Sequence, residues 1–153
     1  MAKCVDISPD KIPQIVDFAT SEKIDLVVIG PEAPLVAGLA DCLEASGIRV
    51  FGPNADAAMI EGSKGMMKDL CDKYNIPTAN YARFDEVNAA KEYIRGQGVP
   101  IVVKADGLAA GKGVILCHSS RDAYAAVDNI LVAYAFGEAG NEIVIEDFLL
   151  GEE

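Results

Sequence analysis

The sequence predicts an α/β protein in two successive parts: a partial parallel sheet with covering helices, then a separate α+β part. Three observations predict it. Two short apolar runs, each closing on Gly-Pro, flank a helix-period pattern between Ile24 and Phe51, which is the signature of a βαβ unit. The texture changes near Glu61 to Ser63, after which short strand-like runs alternate with amphipathic helical patterns. The chain also has 153 residues, 51% of them hydrophobic and 24% charged, a composition suited to a globular core and not to disorder.

Taken in order, Ile24 to Gly30 reads as a short branched apolar strand, buried on both faces as parallel strands are. Leu35 to Ser46 places Leu35, Val36, Leu39, Ala40 and Leu43 on one helical face, and Gly47 stops that helix. Ile48 to Phe51 is the second strand, and Asn54 caps a short helix running to Glu61. Beyond Gly62, Ser63 caps a helix whose apolar positions Met66, Met67, Leu70, Cys71 and Tyr74 share a face, with Pro77 marking the exit. Tyr81 to Phe84 is a strand, and Asp85 to Arg95 a helix with Ala89, Ala90 and Ile94 inward. Val99 to Lys104 and Gly113 to His118 are further strands, Ser119 caps a helix to about Ala133, and Ile143 to Asp147 is the last strand.

Composition removes several functional classes. The formal net charge is −11, with 13 cations scattered along the chain, which disfavours nucleic acid as a partner. The longest uncharged stretches, Tyr74 to Ala82 and Asn129 to Gly137, fall far short of the roughly 18 apolar residues of a membrane span. Met1 to Asp10 lacks the basic and apolar regions of a secretory signal. Cys4, Cys42, Cys71 and Cys117 form no C-x-x-C pair, and His118 is the lone imidazole, so a reduced, intracellular chain without a zinc cluster is expected.

Lys104-Ala-Asp-Gly-Leu-Ala-Ala-Gly-Lys-Gly-Val114 carries the most chemical information. Three glycines and three alanines between two strands make a connector whose N–H groups can approach a ligand unobstructed. It is not a Walker A loop: Gly107 and Gly111 enclose three residues instead of four, and Gly113 follows Lys112 where Ser or Thr is required. From the residues alone, a flexible hairpin with a solvated Lys112 and a phosphate-cradling loop both fit. Lys104, ending the apolar run Val99 to Val103, needs an anionic partner or an escape to water, and the competing reading is an edge-strand lysine that blocks aggregation.

Two further segments add to this. Lys64 in a first helical turn opposes the helix dipole by about 0.3–1 kcal/mol, and Lys68 adds a like-charged neighbour, so either a bound anion or local Glu61 and Asp72 must compensate. Ile143 to Glu153 reads either as a strand leading to a nucleobase-binding linker or as a strand followed by an acidic surface turn.

Together, Ile29-Gly-Pro-Glu-Ala-Pro-Leu-Val, Phe51-Gly-Pro, Glu61-Gly-Ser-Lys, the Lys104 to Val114 segment and Val144-Ile-Glu-Asp-Phe-Leu-Leu-Gly-Glu-Glu resemble the phosphoribosylamine–glycine ligase family of ATP-grasp enzymes, from about Ile24 to Glu153. The resemblance implies transfer of the γ-phosphoryl group of ATP to glycine, followed by attack of 5-phosphoribosylamine to give glycinamide ribonucleotide, ADP and phosphate in purine synthesis. It implies that Lys64 and Lys104 contact phosphates, and that the stretch from Asp106 through Gly107, Gly111 and Lys112 to Gly113 is a mobile loop over them. The backbone of Glu146, Asp147, Phe148 and Leu149 would hold adenine, Glu153 would bind ribose, and Gly30, Pro31 and Glu32 would face the amine substrate. Magnesium or manganese is implied, with its ligands beyond Glu153, and no catalytic residue is assigned within the chain.

The resemblance also implies domains. Residues 1–61 correspond to the carboxyl-terminal part of an N-terminal, pre-ATP-grasp α/β domain, and 62–153 to the amino-terminal part of the ATP-grasp domain. The family's Gly-rich amino-terminal segment and everything after Gly-Glu-Glu are missing, so the chain reads as a fragment, inactive alone, of about the middle third of a ligase. Competing readings are another ATP-grasp carboxylate–amine ligase or carboxylase, or a non-catalytic nucleotide-binding module. Small molecules are the expected partners, in the cytoplasm unless an upstream organelle-targeting segment precedes Met1. Oligomeric state is left open.

Overall fold

The computed structural model describes residues 2–151, which divide into two compact units meeting between Gly62 and Ser63.

The first unit runs α1 (Ile12–Ser21), β1 (Leu26–Val28), α2 (Glu32–Val36), α3 (Leu39–Ala45), β2 (Arg49–Phe51), α4 (Ala55–Gly62). Strands β1 and β2 pair in parallel, Leu26 opposite Arg49 and Val28 opposite Phe51. The core joins Ala19, Leu35, Leu39, Ala40, Leu43, Ile48 and Ala58, with Val27 and Val50 packed against it from the sheet. Three expectations are corrected here. Helix α1 escaped the reading, although Ile12, Ile15, Val16 and Ala19 follow a helical period and Pro13 suits a first turn. The single helix expected from Leu35 to Ser46 is two, because Gly38 adopts φ +86°, a left-handed conformation that no continuous α-helix contains. The strands are not buried on both faces: Leu26, Val28 and Phe51 are 52%, 65% and 71% exposed, since among the described residues no element covers that side.

Other local signals hold. Helix α3 ends where Gly47 was expected to stop it, with Gly47 N–H donating to Glu44 O and Ile48 N–H to Leu43 O, the paired bonds of a Schellman terminus. Asn54 caps α4 through a 2.9 Å bond from Ala57 N–H to its Oδ1.

The second unit runs α5 (Lys64–Lys73), β3 (Tyr81–Phe84), α6 (Val87–Gln97), β4 (Ile101–Ala105), β5 (Val114–Cys117), α7 (Ser120–Val127), a π-helical turn (Asp128–Val132), a 3-10 turn (Gly137–Gly140) and β6 (Ile143–Asp147). The sheet is antiparallel throughout, in the order β3-β6-β4-β5. Alternation in β4 and β6 sends Ile101, Val103, Ala105, Ile143 and Ile145 into a core with Ala90 and Ile94 of α6 and Ala123, Ala126 and Val127 of α7. Ala89, expected inward, is exposed, and Tyr93 packs on that side instead, 5.2 Å from the Phe84 ring. Helix α7 is followed directly by the π turn, so the helical stretch expected to about Ala133 is not uniformly α. Among the described residues no helix is long and apolar enough to cross a membrane.

Candidate functional site

The opposite face of the second sheet carries the charges. Register places Lys104 opposite Val144 and Val114, with Glu146 opposite Val102 and Tyr81, so Lys104 and Glu146 project to the same side, away from the α6–α7 core. Helix α5 contributes to this face near β6, while Val114 and Leu116 remain 50% and 44% exposed. Since β4 lies inside the sheet, the edge-strand reading of Lys104 does not hold.

Lys104 finds its anionic partner within the chain. Its Nζ lies 2.7 Å from Glu146 Oε1, yet that buried oxygen has no aligned hydrogen bond. Glu146 Oε2 pairs at 2.9 Å with Lys68, a residue read from sequence only as a like-charged neighbour. Lys68 is 3% exposed, and its ammonium also donates to Thr78 Oγ1 at 2.6 Å and Ala79 O at 3.4 Å, with the Tyr81 ring centroid 5.9 Å away. The buried positions of α5 are Gly65 and Lys68; of the five apolar positions expected to share a face, Met67, Leu70 and Cys71 are half-buried and Met66 and Tyr74 exposed. Apolar periodicity did not reveal Lys68, because its partner is a buried carboxylate, to which hydropathy is blind.

The glycine-rich connector is anchored at its base. Asp106 Oδ1 accepts from Gly65 N–H at 2.6 Å and from Ser63 Oγ at 3.1 Å, and Ser63 Oγ accepts from Met66 N–H at 3.0 Å. The carboxylate at the N-terminus of α5 is therefore that of Asp106, not the Glu61 or Asp72 expected to compensate Lys64. Lys64 turns back instead, Nζ donating to Gly107 O at 2.9 Å and Asp106 O at 3.3 Å. The Asp106 and Gly107 N–H groups donate to Glu142 O and Ala139 O, both at 3.0 Å. Only the tip departs from this frame. Ala110 and Gly111 have φ +49° and +76°, closing a turn in which Lys112 N–H donates to Ala109 O at 2.9 Å.

A second cluster flanks α5. Arg83 is held by Glu142, Nη2 to Oε2 at 2.8 Å and Nε to Oε1, and by Asp69, with its guanidinium against Gly65, where a Cβ would fall 2.5 Å from Nε. The Glu142 carboxylate raises the Arg83 pKa further above its ordinary value. Tyr81 OH donates to Asp69 Oδ1 at 2.6 Å, which pushes the phenol up to about 12 and holds the Asp69 carboxyl below its ordinary value. Sequence reading missed Arg83 and Glu142, whose pairing depends on a 59-residue separation.

The remaining expected residues fall as follows. Gly113 is buried at the foot of β5, its carbonyl accepting from Ala105 N–H at 2.8 Å, and Lys112 is exposed. Asp147 pairs with Asn80, Nδ2 to Oδ2 at 2.8 Å, and the Phe148 ring stands edge-on to His118 at 6.3 Å. Leu149 is 67% exposed, and Glu153 lies outside the described residues. Gly30, Pro31 and Glu32 belong to the first unit, Pro31 preceding α2 and Glu32 opening it. Among the described residues no three His, Cys, Asp or Glu side chains gather to hold a metal ion.

Comparison with known proteins gives a consistent family. Residues 62–153 match the family model described as the phosphoribosylglycinamide synthetase ATP-grasp (A) domain, and residues 1–61 match that of the N domain. The chain is 58% identical over 153 residues to a phosphoribosylamine–glycine ligase of Brucella melitensis, covering 100% of this chain and 36% of that protein. To the chloroplastic phosphoribosylamine–glycine ligase of Arabidopsis thaliana it is 54% identical, covering 99% of this chain and 29% of that one. The crystal structure of phosphoribosylamine–glycine ligase from Thermotoga maritima matches with TM-score 0.64 and 34% identity, over 68% of this chain and 27% of that one. The chain thus spans about a third of the length of the curated relatives it matches.

Proposed function

The chain belongs to the phosphoribosylglycinamide synthetase family, and on that premise we propose that it supplies the opening wall of the nucleotide site in an enzyme that joins glycine to 5-phosphoribosylamine at the expense of ATP. In this reading residues 1–61 close the N domain and 62–153 begin the ATP-grasp domain. A glycine carboxylate oxygen attacks the γ-phosphorus and the bond to the bridging oxygen breaks, releasing ADP. The amine of phosphoribosylamine then attacks the acyl carbon, phosphate leaves, and the nitrogen loses a proton.

The observation that carries the proposal is the arrangement around Lys104. Its ammonium sits at the floor of an open sheet face, 23% exposed, beside the exposed apolar side chains of Val114 and Leu116 and the foot of the glycine-rich connector. A nucleotide fits that combination: an apolar surface for a flat base, a cation for phosphate oxygens, and backbone N–H groups at a tip free of bulky side chains. The unaligned Glu146 Oε1 fits too, because Lys104 has no optimal hydrogen bond to surrender when it turns toward an anion. Phosphoryl transfer depends mainly on positioning and charge neutralisation, and Lys104 supplies the latter directly. Lys64 acts one step back, holding the carbonyls of Asp106 and Gly107 so that the connector leaves the sheet in a set direction. Beyond β6, the peptide groups of Phe148 and Leu149 would read the adenine edge, next to Asp147, which Asn80 holds. A divalent cation, when bound, would add charge neutralisation at the phosphates. Among the described residues no three His, Cys, Asp or Glu side chains gather to hold it.

The test is a chimera in which these 153 residues replace the matching segment of a full-length curated relative. It should release ADP only when both glycine and phosphoribosylamine are present, and Lys104→Met in the chimera should weaken ATP binding by roughly tenfold or more. ADP release that ignores both substrates rejects the proposal.

A further inference from the structure

The second unit buries a cation, Lys68. The Lys68 ammonium is 3% exposed, donates to Thr78 Oγ1 and Ala79 O, and lies 2.9 Å from Glu146 Oε2. Beyond Glu146, itself 6% exposed, lies Lys104, 23% exposed at the open face. The order from interior to surface is therefore cation, anion, cation, and the group carries one net positive charge, presented by Lys104.

We propose that Lys68 is a positioning residue for the nucleotide: by offsetting the Glu146 carboxylate from within, it leaves the Lys104 ammonium with its charge available for phosphate. This deepens the reading of Lys104 as a nucleotide contact and rests on it. Without Lys68, Glu146 and Lys104 form a one-to-one pair of net charge zero. The carboxylate, free of its inner partner, then draws the ammonium toward itself in a setting where solvent screens poorly. The hydrogen bonds to Thr78 and Ala79 hold the ammonium against Glu146, and the strand register fixes Glu146 and Lys104 on the same face of the sheet.

The experiment is a double-mutant cycle in the full-length chimera, with ATP affinity measured calorimetrically for Lys68→Met, Glu146→Gln and the double variant, each checked for native circular dichroism. Lys68→Met should weaken ATP on the order of tenfold. In the Glu146→Gln background the same change should cost less than about threefold, because no carboxylate remains to be offset. Equal losses in the two backgrounds overturn the proposal and leave Lys68 a packing residue. If Lys68→Met does not fold, Glu146→Gln against the double variant decides: a further loss near tenfold overturns the proposal, and near-equality supports it. A ¹⁵Nζ resonance of Lys104 that moves in Lys68→Met and returns in the double variant also supports it, and an unmoved resonance counts against it. Lys104→Met separates the two levels of the argument. Unchanged ATP affinity there overturns the nucleotide reading together with this proposal, whereas a loss there with equal losses in the cycle overturns this proposal alone.

Discussion

Ser63 and Asp106, 43 positions apart, share a hydrogen bond in which Ser63 Oγ donates to Asp106 Oδ1 at 3.1 Å. The same carboxylate oxygen accepts from Gly65 N–H, so the residue that starts the glycine-rich connector also caps the helix that carries Lys64 and Lys68. Movement at the base of the connector is thereby coupled to the first turn of α5.

Asp106→Ala should remove both bonds and leave the Gly65 N–H of α5 and the hydroxyl of its N-cap, Ser63, without that acceptor. By the usual worth of a helix cap, the cost is about 1–2 kcal/mol, read as a lower denaturant midpoint at unchanged slope. An unchanged midpoint would show that the cap contributes nothing.

Hydrogen exchange should divide the connector. The Asp106 and Gly107 amides, bonded to Glu142 O and Ala139 O, should exchange slowly, and the amides of Leu108 to Gly111 quickly. Saturating ATP, added to the full-length chimera, should slow the second group and barely affect the first. Uniform exchange across 106–113 contradicts the anchored-base geometry.

Glycine substitutions should rank by space. A Cβ on Gly107 would lie 2.7 Å from Ala139 Cα, a backbone atom that cannot yield locally, whereas at Gly111 nothing lies within 4 Å and the φ of +76° is the sole obstacle. Gly111→Ala should cost about 1 kcal/mol, and Gly107→Ala more. Equal melting temperatures for the two variants would refute this ranking.

The Tyr81–Asp69 bond makes a pH prediction. The folded phenol titrates near 12, above its ordinary value of 10.0, so its contribution to stability is complete below pH 10 and is lost as pH rises from there through 12. The Asp69 carboxyl is held low, so its contribution is present above the ordinary carboxylate range and disappears as pH falls through its folded value. Asp69→Asn should flatten both limbs of the stability profile and bring the Tyr81 absorbance change at 295 nm back toward pH 10. A Tyr81 titration that ignores this substitution would remove Asp69 as the cause.

Thiol labelling should follow burial. Cys4 and Cys42 are exposed, Cys71 half-buried, and Cys117 buried with its thiol pushed up by desolvation. A disulfide reagent at neutral pH should therefore modify Cys4 and Cys42 first and Cys117 only on unfolding. Native-state labelling of Cys117 would show that β5 opens locally.

The residues alone determined the class of the fold, the extents of β3 and β6, the caps at Asn54, Ser63 and Ser119, and the stop at Gly47. Each of these depends on short-range pattern: alternation, a side chain reaching a neighbouring N–H, or a terminus that needs a left-handed residue. The resemblance of the Lys104 to Val114 segment was legible for the same reason, since its motif is contiguous. What tertiary structure decided was which charges meet. In sequence Lys68 is only a like-charged neighbour of Lys64, and the register of β6 against β4 and β3 brings Glu146 next to both Lys68 and Lys104. The inner side of α5 at Lys68 followed from that meeting, because hydrophobic periodicity does not mark a face met by an ion pair. Likewise the exposed face of β1 and β2 was invisible in sequence, where a strand covered on both sides and one covered on a single side can carry the same short apolar run.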